Sequence, residues 1–192
     1  MEINTLDPIK ADPSRLNAAV AVSVALLSTV MGVSKVKDDN IVQAMQQAQA
    51  DKLDHWSFYQ ARNLREEVAK ATLVQLRLQA GTTTGALRKD YDVAIGHYEK
   101  LAADQALKKE EQRLAALADQ KTYNALNYRD DQFDLADAAI SIAIALLAVA
   151  ALTQFWWLFG LAMLPAAFGT VMGVAGLAGW KLHPDLLARL LS

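Results

Sequence analysis

The chain has 192 residues, 53% hydrophobic and 21% charged, with a net charge of -2 at neutral pH and no cysteine. Near-neutrality excludes a global basic field for nucleic acid, and the missing cysteines exclude disulfides, thiolate metal sites and thiol catalysis. Of the 19 Lys and Arg, only Lys10, Arg15, Lys181 and Arg189 lie outside residues 34–135, and such sorting of charge into blocks marks membrane proteins rather than soluble domains.

After a short tail, residues 1–15, Leu16–Val33 runs 18 residues without a charge, near the lower limit for crossing a bilayer. The tail sets Glu2, Asp7 and Asp12 against Lys10 and Arg15. That is no basic n-region, and no small-x-small cleavage pattern follows the segment. The expectation is an uncleaved first transmembrane helix, 16–33.

Residues 34–134 read as a water-exposed helical hairpin. From 36 to 135 there is no proline, and the only glycines are Gly81, Gly85 and Gly96; good helix formers dominate. Asp38, Asp39 and Asn40 supply cap-type residues for a helix start. Leu53, Trp56, Gln60, Leu64, Val68, Ala71, Gln75 and Leu78 repeat at three-to-four spacing. Leu87, Tyr91, Ala94, Tyr98, Leu101 and Gln105 do the same, continued by Leu107, Leu114 and Leu117. The breaker cluster Gly81-Thr-Thr-Thr-Gly85 lies between them and predicts the turn, 81–85. The arms then hold about 47 and 49 residues, each roughly 70 Å as helix, so both begin and end at one membrane face. Ala86 leads with few interruptions into the next apolar segment. A seam of Ala, Gln, Tyr and Leu gives two helices little to bury, so the expectation is a homo-oligomer in which neighbouring copies complete the packing.

The closing apolar stretch is long enough for two spans, 135–152 and 155–180, turning at Thr153-Gln154 beside the aromatic cluster Phe155, Trp156 and Trp157. Pro165 is expected to kink the last span. Residues 181–192 read as a short amphipathic tail on the membrane surface. The fold class is therefore all-α: three transmembrane helices, with a long antiparallel coiled-coil-like hairpin between spans 1 and 2. Lys35, Lys37, Lys121, Arg129, Lys181 and Arg189 cluster at one end of the spans, which puts the hairpin in the cytoplasm by the positive-inside rule.

Three groups of residues are singled out. Trp56, Phe58, Tyr59, Arg62 and Arg65 form the densest specific chemistry and are expected to pack hairpin and oligomer rather than to bind an anion or aromatic ligand. Gly169, Gly173 and Gly176, with a small-residue stripe at Ala21, Ala25, Ser28 and Gly32, invite close helix packing in the membrane. Asp130, Asp134 and Asp137 fall on one helix face, and in a symmetric oligomer would make candidate pore-lining carboxylate rings. His55, His97 and His183 lack metal-ligand spacing. No catalytic, cofactor or metal constellation is read, and no enzyme is expected.

The run Trp56-Ser57-Phe58-Tyr59-Gln60-Ala61-Arg62 resembles that of bacterial membrane proteins of unknown function marked by Trp-Ser/Ala-Phe-Tyr-Gln-Ala-Lys/Arg shortly after a first span. The resemblance implies a charged helical middle, two closing spans and a bacterial inner membrane. It implies no catalytic residue. The function expected is a non-enzymatic, homo-oligomeric, membrane-anchored coiled-coil scaffold or docking assembly, in contact with lipid and itself, with other partners unread. The alternative is an oligomeric ion channel with a ring of aspartates at its cytoplasmic mouth.

Overall fold

A computed structural model describes residues 14–180 and Leu182. The N-terminal tail up to residue 13 and, Leu182 apart, the amphipathic tail 181–192 lie outside the described residues. The described residues form three helices, α1 (Arg15–Gly81), α2 (Ala86–Thr153) and α3 (Trp156–Ala178), and no strand. Each is long and apolar enough to cross a membrane.

The helix start expected at Asp38–Asn40 does not occur. α1 runs unbroken through it, because the first apolar segment continues into the arm with every backbone amide already paired. Asp38 turns its carboxylate to Lys35 instead, Nζ to Oδ2 2.8 Å. At Gly81 the helix does end. The amides of Thr82 and Thr83 and both hydroxyls bond back to the carbonyls of Gln79 and Ala80, satisfying acceptors that a helix end leaves open. Gly85 then takes a φ of 78°, which costs a glycine little.

α2 ends at Thr153. Gln154 adopts φ 58° and Phe155 is extended, so two residues reverse the chain. The Gln154 side-chain amide donates to Ala151 O and, at 2.8 Å, to Asn17 Oδ1 of α1. α3 carries Pro165 inside it and closes on Gly179 at φ 69°, with the Trp180 amide donating to Ala175 O at 2.9 Å.

The helices divide into two compact units: residues 1–42 with 127–192, and residues 43–126. In the first, Leu16, Val20 and Leu27 of α1 pack on Ile140, Ala143 and Leu147 of α2 and on Ala162 and Ala166 of α3.

In the second unit α1 and α2 meet along a seam of small and charged residues. Its buried members are Met45, Ala48, Glu66, Ala69 and Ala80 on α1, with Gln105 and Ala116 on α2. Polar pairs cross it: Lys52 to Gln120 at 3.0 Å, His55 to Asp119 at 2.7 Å, Arg62 to Gln105 at 3.1 Å and Arg77 to Glu99 at 2.7 Å. As α1 numbers rise, their partners' numbers fall.

This seam differs from the one the spacing predicts. Leu53, Gln60, Leu64, Val68, Ala71, Gln75 and Leu78 lie exposed, as do Leu87, Leu107, Leu114 and Leu117. Gln105 is buried, and Trp56, Tyr91, Ala94, Tyr98 and Leu101 are partly covered. Each arm carries two stripes, and the arms join along the one whose charges need partners. Small alanines there let the backbones approach, and a charge left unpaired inside would cost more than an exposed leucine.

Glu66 sits at the centre of that seam. Its buried carboxylate lies 2.6 Å from Lys70 Nζ and 2.6 Å from Lys109 Nζ across the seam. Those hydrogen bonds, Lys109 foremost, hold it below the ordinary 4.5. The stabilisation is present above that ordinary value and is lost as pH falls through the lower folded one. Glu66→Gln should therefore lower the melting temperature at neutral pH, with the gap from the native chain closing by about pH 3. Circular-dichroism melts of the full chain in detergent check it; an equal deficit at both pH values would contradict it.

Candidate functional site

The highest density of acidic groups lies in the first unit, where α1 and α2 leave their apolar segments. Asp38 is 4% exposed on α1, with one oxygen held by Lys35. Lys35 also lies 3.7 Å from Asp39. Asp38 Oδ1 receives no N–H or hydroxyl donor. Asp130 of α2 lies close enough for the Asp38 side chain to act on its carboxyl.

Burial, then the nearby Asp38 side chain, then the Asp134 charge push the Asp130 carboxyl up to about 7. Burial and the Asp38 charge also raise Asp134, against an opposing pull from Lys35. The Asp38 contact raises Lys35 in turn.

A polar clamp closes the end of α3 nearby. Gln132 is fully buried, and its Nε2 donates to Trp180 O at 2.8 Å and Leu182 O at 2.5 Å. Arg129 donates through Nη2 and Nε to Gly176 O, at 2.8 and 3.3 Å. Gly176 O is one of the acceptors a helix C-terminus leaves without amides, and the guanidinium there also meets the negative end of the helix dipole; Trp180 and Leu182 lie just beyond the helix.

α3 reaches this position because its glycines admit close neighbours. A Cβ on Gly169 would stand 2.8 Å from Ile140 Cγ1 and 2.9 Å from Ala136 O; one on Gly176 would stand 2.8 Å from the Phe133 ring. At Gly173 it would meet Ser34 Oγ of α1 at 3.0 Å. A Cβ on Gly32 meets nothing.

The sequence-derived candidates are thus distributed as follows. Asp130 faces α1, Asp134 is exposed, and Asp137 is half-buried in the field of Lys35 and Asp38. Arg62 crosses to Gln105, and Trp56 packs edge-on against Tyr59 with ring centroids 5.3 Å apart. Phe58 and Arg65 are exposed. The three glycines of α3 press on α2 and α1 within the chain.

Sequence reasoning missed Asp38 as a buried acid, having assigned it to a helix cap, and missed the Gln132 clamp. The available signal for Gln132 was position: it lies on the apolar face of Phe133, Ala136 and Ile140, where a polar side chain needs a dedicated partner. Among the described residues no three His, Asp or Glu side chains group to hold a metal ion.

The architecture defines a class: an all-α chain with three long helices able to span a membrane and an arm region between the first two apolar segments. The chain belongs to DUF4337, a domain of unknown function, whose profile matches residues 16–179. No curated protein and no solved structure matches it.

Two outcomes follow from this geometry. Asp130 has a folded value above its ordinary 3.8, so its contribution to stability is full at low pH and is lost as pH rises through about 7. The native chain should melt higher at pH 5 than at pH 8, and Asp130→Asn should flatten that difference; an unchanged pH dependence would refute the raised Asp130 value. Separately, Gly169→Ala should cost about 1–3 kcal/mol, since besides the Ile140 side chain it meets a backbone atom, Ala136 O at 2.9 Å, that cannot readily move away. Gly32→Ala, meeting nothing, should be neutral or stabilising by up to about 1 kcal/mol. Melting of both variants in one detergent compares them directly.

Proposed function

We propose that the chain is a non-enzymatic, homo-oligomeric, multi-pass protein of a bacterial inner membrane. Segments 16–33, 135–152 and 155–180 cross the bilayer. Residues 34–134 form an antiparallel, coiled-coil-like hairpin on the cytoplasmic side. The hairpin serves as a docking scaffold whose shape is completed by neighbouring copies.

One observation carries this reading. In residues 43–126 the buried apolar side chains are a single methionine and four alanines, whereas Leu53, Leu64, Leu78, Leu107 and Leu114 are each more than half exposed. A pair of helices so placed in water has its larger apolar groups on the wrong side to hold itself together. Lipid can cover the exposed apolar residues of the spans, but not those of the arms. The heptad-like run Met45, Ala48, Lys52, His55, Tyr59, Arg62, Glu66, Ala69 and the opposed order of the cross-seam pairs support the hairpin geometry. Lysines and arginines gathered near one end of the spans support the cytoplasmic side.

A channel with aspartates at its mouth is the second reading, favoured by one feature: Asp137 lies half-buried just inside the second apolar segment. Against it, Asp130 is already engaged with Asp38 of its own chain.

Mass measurement of the purified chain in mild detergent should give several copies per particle, and Thr83→Cys should be labelled from the cytoplasmic side. A stable monomer would remove the scaffold reading, and labelling from outside alone would reverse the topology.

A further inference from the structure

The exposed apolar residues of the two arms are not scattered. On α1, Leu53, Leu64, Val68, Ala71 and Leu78 fall at intervals of three, four, seven and eleven residues, which puts them on one helix face. That face is opposite Glu66 and Ala69, which point to α2. On α2, Val93, Leu107 and Leu114 lie seven or fourteen apart, again away from the seam, with Leu107 65% exposed.

The contacts within one hairpin give the relative height of these residues. Arg62 to Gln105 at 3.1 Å and Asn63 to Lys109 at 3.2 Å place Leu64 level with Leu107. Lys52 to Gln120 and His55 to Asp119 place Leu53 level with Leu117. Arg77 to Glu99 and Arg88 to the Ala80 carbonyl bracket Leu78 and Val93. Copies anchored in one membrane stand side by side in the same direction, so equal heights in one copy remain equal between copies.

Charge follows the same register. Arg65, on the edge of the α1 face, is level with Glu111 of α2, and Asp54 is level with Lys121; none of these four makes an ion pair with another described residue of its own chain. A two-fold contact of α1 with α1 would instead set Glu67 against its own copy.

We infer that the outer face of α1, centred on Leu64, docks on the outer face of α2, centred on Leu107, of a second copy of this chain. The contact is heterologous: each copy offers a different face to either neighbour, and repetition closes a ring in which α1 and α2 arms alternate. Leucines meet leucines at matched height, and Arg65 and Asp54 of one copy find Glu111 and Lys121 of the next. This assignment rests on the homo-oligomeric reading above and specifies which surfaces make the oligomer.

The chain has no native cysteine, which allows a direct test. Chains carrying Leu64→Cys and Leu107→Cys are co-expressed at full length, each with its own tag, oxidised in the membrane, and separated by mass. The expected result is a disulfide between position 64 of one copy and position 107 of another. Each chain carries a single cysteine, so no disulfide can form within one hairpin. Arg65→Glu should lower the cross-linked fraction, and adding Glu111→Arg should restore it.

A disulfide between two copies of position 64, with none from 64 to 107, overturns the heterologous contact. So does an oligomeric mass with no cross-link at either position, which leaves the homo-oligomer standing. A monomeric mass overturns both readings together. Because both substituted positions are exposed, the variants retain the seam, and circular dichroism verifies their helicity.

Discussion

The contact on which the arms depend is the Glu66 carboxylate between Lys70 and Lys109. A buried carboxylate needs its cations close, and the alanines at 48, 69, 80 and 116 let the two backbones come near enough to supply them. That choice fixes the rotation of both helices. With Glu66 turned inward, Leu64 and Val68 must turn outward. The polar pairs from Lys52–Gln120 to Arg77–Glu99 extend the same rotation along the arms.

A different solution operates around the apolar segments. Under the proposed membrane reading lipid would surround these helices, and burial of apolar surface against apolar surface would give little, so close packing and internal hydrogen bonds would carry the association. Gly169 and Gly176 bring α3 against Ile140, Ala136 and Phe133. Arg129 then occupies the Gly176 carbonyl in the last turn of that helix, and Gln132 the Trp180 carbonyl just beyond it. Asp130, between Arg129 and Gln132 in the chain, is pushed up to about 7 by burial and by Asp38, so its charge depends on pH near neutrality.

Much of the architecture could be read from the chain itself. Absence of proline from 36 to 135, a wealth of helix formers and three apolar stretches carrying a single charge, Asp137, give three long helices without further help, since helix propensity and hydropathy act locally. Glycines at 81 and 85 mark a helix break for a reason local to those residues. The rotation of the arms was not legible in the same way. Each arm carries a leucine-bearing stripe and an alanine-and-charge stripe of nearly equal periodicity, and hydropathy alone chooses the first as the seam. Only the pairing of Glu66 with Lys109, residues 43 apart in the chain, selects the second. Gln132 and Asp38 were not legible for a related reason: what surrounds them comes from distant parts of the chain, the segment after α3 at Trp180 and α2 at Asp130.

The central claim is that the outward leucines of the arms belong inside an assembly of identical chains. Electron cryomicroscopy of the full-length protein in lipid nanodiscs tests it most directly. The account predicts particles in which every α1 arm is flanked by two α2 arms, its own and a neighbour's, with Leu64 covered. Separate hairpins with Leu64 facing solvent would contradict it.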